Sequence, residues 1–192
     1  GSASGSEFLI NTHTANDQNM PTVASLSNGG FVVTWHSHGQ DGDGDSGGSA
    51  LETNSYAQRY DSSGSRIGTE ILINTETASY QENPAITGLK DGGFVVTWNS
   101  YYQDGNSYGI YGQRYDASGN SSGAEFHIST ATNNAQELST ITALADGGFT
   151  VTWQSYAQDG DGYGIFAQIF DTGTSSPSSN SSNSSSSSSS SS

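Results

Sequence analysis

Cysteine is absent from the 192-residue chain, which excludes disulfides, thiolate zinc sites and a thiol nucleophile. Basic residues are nearly absent. Arg59, Arg66, Lys90 and Arg114 stand against 19 acidic residues, for a formal net charge of −15. A nucleic-acid surface needs a basic stripe to displace counterions, and four scattered cations do not form one. An anionic membrane surface is excluded on the same ground, so cations and neutral ligands are the natural partners. No apolar run approaches the roughly 18 residues of a membrane helix, and no membrane insertion is expected. His13, His36, His38 and His127 lack metal spacings such as His-Glu-x-x-His. Paired carboxylates serve glycoside hydrolysis, but no unique pair stands out, so the chain is expected not to be an enzyme. Helix signals are missing as well.

What the chain has is one stretch written three times. Gly-Gly-Phe-Val-Val-Thr-Trp, with Thr at one Val in the third copy, leads into Gln-Asp-Gly at 29–42, 92–105 and 147–160. Trp35, Trp98 and Trp153 each precede Gln40, Gln103 and Gln158 by five residues. The preceding Asn-Gly-Gly or Asp-Gly-Gly is a hairpin signal, because tight two-residue turns need positive φ. Four strand-like segments make one repeat. An outer one reads Glu7-Phe-Leu-Ile-Asn11, Glu70-Ile-Leu-Ile-Asn74 and Glu125-Phe-His-Ile-Ser129. A second keeps one position small (Ser25, Gly88, Ala143), which implies a crowded place near an axis. The central strand puts Phe, Val and Trp on one face and Val and Thr on the other, so both sides are expected to be covered. The tryptophans are therefore read as core. The last strand sets Gln58, Gln113 and Gln168 between aromatics as bridging amides.

Strands at short intervals, punctuated by Gly, Asn and Asp, mean an all-β fold. The expected architecture is three four-stranded repeats with pseudo-threefold symmetry, as β-propeller-like blades; a β-trefoil or β-prism is the alternative. The repeats run about 7–68, 69–123 and 124–174 within one domain, 7–174. Residues 1–6 read as a linker or tag, and 175–192 as a disordered polyserine linker. The first outer segment is expected to complete the last unit and close the ring. A homo-dimer is expected if three repeats do not close alone.

The 91–119 pattern, Asp-Gly-Gly-Phe-Val-Val-Thr-Trp through Tyr-Gly-Gln-Arg-Tyr-Asp-Ala-Ser-Gly, resembles tandem repeats of large secreted bacterial proteins. Those are adhesin-like and often accompanied by calcium-binding modules. The resemblance implies an extracellular location and β-repeat architecture. The serine tail resembles polyserine linkers of marine bacterial polysaccharide-degrading enzymes, which implies a tethered catalytic or surface domain.

Two constellations carry candidate chemistry. Counting from Asp41, acids fall at positions 1, 3, 5 and 12: Asp41, Asp43, Asp45 and Glu52. That is calcium-loop spacing, in which alternate side chains converge on a hard cation; a solvated acidic loop is the other reading. Asp104, and Asp159 with Asp161, are the reduced equivalents. The second constellation is Gln-Asp beside aromatics: His38 and Gln40; Tyr101, Gln103 and Tyr108; Tyr156, Gln158 and Tyr163. Aromatic faces stack on sugar C–H faces while amides bond hydroxyls. In the competing reading Gln-Asp-Gly only shapes the turn. The expected function is a secreted, non-catalytic carbohydrate-binding module, multivalent through its loops, with calcium and a polysaccharide or cell-surface glycan as ligands. The alternative is a structural, adhesive repeat domain of a bacterial surface protein with architectural calcium.

Overall fold

The computed structural model describes residues 1–3, 5–41 and 52–171. Among them are eleven strands and no helix. The first antiparallel sheet orders β1 (Gln18–Ser25), β2 (Phe31–His38), β3 (Thr53–Tyr60) and β4 (Arg66–Leu72) side by side. The second repeats this with β5 (Gln81–Gly88), β6 (Phe94–Tyr101), β7 (Tyr108–Tyr115) and the short β8 (Phe126–His127). The third holds β9 (Gln136–Ala143), β10 (Phe149–Tyr156) and β11 (Tyr163–Phe170). Every pairing between neighbouring strands is a hairpin-type antiparallel one, as in a propeller blade.

The repeated sequence explains the repeated hairpin. Leu26 N–H donates to Gly30 O and Gly29 N–H to Leu26 O, at 2.8 and 3.0 Å, and the other two copies match. The connection is therefore a longer loop than the two-residue turn expected. Its first glycine holds φ near +90° in all three copies (85°, 90° and 97°). Its second has no room for a side chain, since a Cβ on Gly93 would sit 2.3 Å from Tyr115 O. Asn28, Asp91 and Asp146 accept from that second glycine's N–H at 2.9–3.0 Å.

The sheets stack face to face through their alternating residues. Val32 and Ala57 of the first sheet meet Phe94, Val96, Trp98 and Tyr111 of the second. Val95 and Ile110 of the second meet Phe149, Val151 and Trp153 of the third. The three tryptophans are buried, and so are Gln58 and Gln113. Each fully buried large side chain contributes about 2–3 kcal/mol of apolar burial. The inner strands β1, β5 and β9 lie in succession. They approach closely at the small position, where a Cβ on Gly88 would lie 2.1 Å from Ser25 O.

Two expectations fail, and for one reason. The ring does not close within the chain: among the described residues the third sheet has three strands. Glu7–Asn11 forms no strand and instead packs on the first sheet, where Tyr60 OH donates to Ile10 O at 3.1 Å and Phe8 tilts against the Tyr60 ring. Coverage on both sides holds for the first two central strands only. β2 and β6 are buried almost throughout, whereas β10 alternates buried with partly buried because, among the described residues, no further sheet lies on its other face.

Candidate functional site

The antiparallel order brings Gln40-Asp41 and the Gln-Asp-Gly loops at 103–105 and 158–160 to one rim of the stack. They join the second and third strands of each sheet, beside the connections that enter the next inner strand. The same backbone bonds fix each loop. His38, Tyr101 and Tyr156 donate their N–H to Asp17, Tyr80 and Ala135 O, at 3.0, 2.9 and 2.9 Å. The residue after each is forced into the left-handed region: Gly39 (φ 61°), Tyr102 (64°) and Ala157 (55°).

Within the loop, Gln and Asp turn inward. Gln40 Nε2 donates to Glu70 Oε2 at 2.6 Å, and Gln103 Nε2 to Glu125 Oε1 at 2.5 Å. The glutamate in turn takes the backbone N–H of a threonine on the connection that leads into its own sheet. Thr12 N–H donates to Glu70 Oε1, and Thr75 N–H and Oγ1 donate to Glu125 Oε2 at 2.8 and 3.0 Å. Each Gln–Glu–Thr clasp thus ties a loop and an outer strand to the connection that enters the inner strand of the same sheet. Gln158 is exposed and makes no such clasp among the described residues. The aspartates fold back over the third strand. Asn54 Nδ2 donates to Asp41 Oδ2 at 2.7 Å. In the other copies that strand position is Gly109 or Gly164, and a Cβ there would lie 3.1 Å from Asp104 Oδ2 or 2.5 Å from Asp159 Oδ2. Asp104 Oδ2 also stands 3.8 Å from His127 Nε2. Burial holds the His127 pKa down, with the Asp104 charge opposing it.

The calcium-loop residues divide. Asp43 and Asp45 lie outside the described residues. Asp41 and Glu52 flank them, and Gly39 N–H donates to Glu52 O at 3.1 Å. Asp41 Oδ1 is buried with no hydrogen-bond partner among the described residues. Asp161 is exposed. Among the described residues no three His, Cys, Asp or Glu side chains gather as a metal-binding group.

The aromatic candidates do assemble. Tyr101 lies at the centre of a cluster, with ring centroids 4.9 Å from Tyr108, 4.7 Å from Tyr102 and 5.9 Å from Tyr80. Tyr108 OH reaches Glu82 Oε2 at 3.4 Å. Burial raises the Glu82 pKa against that hydrogen bond, and burial and Glu82 together push Tyr108 up to about 12. In the third copy Tyr156 and Tyr163 meet edge to face at 5.2 Å. Tyr102, Tyr156 and Tyr163 are 58%, 47% and 54% exposed. In the first copy His38 meets His36 edge-on at 5.7 Å, and its Nδ1 is buried without a partner.

The reading from sequence missed Tyr80, Tyr102, Glu82 and Glu137. Glu82 and Glu137 each follow the glutamine that opens an inner strand, and Asn19 takes that place in the first copy. This repeated pair was visible in the sequence. Tyr80 and Tyr102 occur in one copy only, so repeat comparison gave no signal for them.

No family model matches the chain, and no curated protein matches it. Solved structures do. A protein of unknown function from Dyadobacter fermentans is 15% identical with a TM-score of 0.56, over 81% of this chain and 51% of its own. The endo-arabinase of Bacteroides thetaiotaomicron is 15% identical with a TM-score of 0.50, over 80% and 57%. A Hadza microbial sialidase is 12% identical with a TM-score of 0.52, over 79% and 34%. The chain thus spans between about a third and three fifths of these structures' lengths. The likeness is one of fold, to β-propellers, and it supports the blade-like reading over the trefoil and prism.

Proposed function

We propose that this domain is a non-catalytic carbohydrate-binding module that presents aromatic platforms on one rim of a blade stack. The observation that carries the reading is the paired set of tyrosines on that rim: Tyr101, Tyr102 and Tyr108 in the second sheet, Tyr156 and Tyr163 in the third. Exposed aromatic rings with few degrees of freedom bind sugar faces at low entropic cost. The names of two structural neighbours, an endo-arabinase and a sialidase, place carbohydrate chemistry on related folds. A net charge of −15 favours a neutral polysaccharide over an anionic one. Two platforms on one rim would raise weak single-site affinity through effective concentration.

In this reading Asp41, Asp43, Asp45 and Glu52 hold a calcium ion that orders the enlarged first loop. The buried, unpartnered Asp41 Oδ1 supports it. The module is secreted and tethered to a catalytic or cell-surface domain through the serine tract. Retention on immobilised polysaccharides, with and without chelator, tests the proposal. Retention that falls with Tyr102→Ala and with Tyr156→Ala supports it; no retention on any neutral glycan sinks it.

A further inference from the structure

Among the described residues the third sheet stops one strand short of the first two, and the chain carries a segment of the missing kind. In the first two sheets a Gly-x-Glu run leads in the outer strand, at Gly68-Thr69-Glu70 and Gly123-Ala124-Glu125. Gly5-Ser6-Glu7 repeats it, and Gly5 holds φ 92° where Gly68 and Gly123 hold 70° and 84°. The run that follows, Phe8-Leu9-Ile10-Asn11, matches Ile71-Leu72-Ile73-Asn74.

In the completed crossings, one isoleucine of this segment ties two sheets. Ile73 donates its N–H to Ser55 O of the first sheet at 2.8 Å, and its own carbonyl accepts Tyr115 OH of the second at 3.2 Å. Ile128 likewise donates to Ile110 O at 2.7 Å. Ile10 has made one half of this arrangement, accepting Tyr60 OH. Its N–H makes no hydrogen bond among the described residues.

The other half waits on β11. Ser55, Ile110 and Ile165 hold the same register place, opposite His36, Asn99 and Gln154. Ile110 is 0% exposed and Ile165 is 78% exposed. Gln58 and Gln113 each reach an outer-strand carbonyl, Ile67 O or Gly123 O, at 3.2 Å. Gln168 donates to Ile169 O alone. Gln158 lacks its glutamate. At the far end of the stack, Val33 and Trp35 with Phe8 and Ile10 line an apolar groove of about 270 Å³. That face corresponds to the Val96 and Trp98 face, on which the first sheet rests.

An open sheet edge is a template for another strand. We propose that a second copy of this chain supplies the missing strand. Glu7 to Leu9 of each copy pair with β11 of the other, and the two copies close one ring of six sheets. The contact is head to tail, so closure rather than a fibre depends on the ring meeting itself. Length agrees, since one copy spans 51% and 57% of two single-chain neighbours of this fold. The inference is independent of the glycan reading.

Sedimentation of the full chain tests it, with a two-chain mass expected, twice 19.9 kDa. Ile165→Lys changes a side chain that is exposed in one copy and buried in the ring. It leaves the fold intact by circular dichroism and is expected to drop the mass to one chain. The register Ile71↔Ala57 and Phe126↔Gly112 predicts Phe8 opposite Ala167. In this cysteine-free chain, Phe8→Cys with Ala167→Cys is then expected to cross-link two chains under oxidation. A single-chain mass at every concentration overturns the proposal. So does a disulfide within one chain, or a mass that climbs without limit.

Discussion

Acidification should weaken this fold, and His36 is the residue whose part can be isolated. Its Nδ1 accepts a hydrogen bond from Asn83 N–H at 3.3 Å, so that nitrogen must carry no proton in the native state. The residue is 7% exposed. Burial first, and His38 second, push its pKa from 6.5 down to about 4. The folded value is depressed for a group that is charged when protonated. Between pH 6.5 and 4 the unfolded chain therefore binds a proton that the native chain does not, and stability falls as pH falls. Each pH unit inside that window removes about 1.4 kcal/mol, so the whole window amounts to about 3 kcal/mol and the step from pH 7.5 to 5 to about 2 kcal/mol. The matched variant is His36→Asn. Asn99 stands at this position in the second sheet, where its Oδ1 accepts Leu138 N–H at 3.2 Å, so asparagine keeps the acceptor and removes the titration. Urea unfolding of both proteins at pH 7.5 and 5 is the assay. With a slope of about 2 kcal/mol per molar, the native protein should lose about 1 M more in midpoint than the variant. Other titrating groups, Glu82 among them, cancel in that difference to first order. Equal losses in the two proteins would refute the reasoning.

Gly93→Ala places a Cβ against Tyr115 O at 2.3 Å and should destabilise by about 2–3 kcal/mol, read as a fall in the urea midpoint. Glu125→Gln weakens an acceptor for Gln103, Thr75 N–H and Thr75 Oγ1 and should cost about 2 kcal/mol; the Gln103→Ala/Glu125→Gln double cycle should be strongly non-additive. Tyr102→Ala, at a 58% exposed ring, should leave the melting temperature unchanged and weaken polysaccharide retention about tenfold, the equivalent of about 1.4 kcal/mol. Calcium should raise the melting temperature of the native protein and leave that of Asp43→Ala unmoved, since a ligand that binds only the native state stabilises it.

The strands and their order were legible because the same alternation is written three times. Errors confined to one copy were corrected by the other two. The buried tryptophans followed from their phase with Phe and Val, and the small position at Gly88 correctly foretold a close approach. That the ring stays open was not legible. Glu7-Phe-Leu-Ile-Asn11 has the composition of an outer strand, but a strand needs an edge within reach, and that is set by the curvature of the stack. The turn at Gly29-Gly30 was misjudged in length because two glycines fit a two-residue turn equally well. Here the first answers a φ requirement and the second a steric one.

The same distinction reassigns the Gln-Asp-Gly loop. Repetition at constant spacing made it look like a repeated ligand site, yet identity across copies is also what a repeated joint requires. Gln40 and Gln103 are consumed in clasps to Glu70 and Glu125, and Asp41 and Asp104 fold over the third strand. A side chain already held by a short charge-assisted bond has little left to offer a sugar hydroxyl. Some exposed aromatics occur where the copies differ, as with Tyr102 against Gly39 and Ala157, and others, Tyr156 and Tyr163, where two copies agree. In the first two sheets the kept Gln and Asp positions build the rim, and in the proposed glycan reading the tyrosines beside them would meet the sugar.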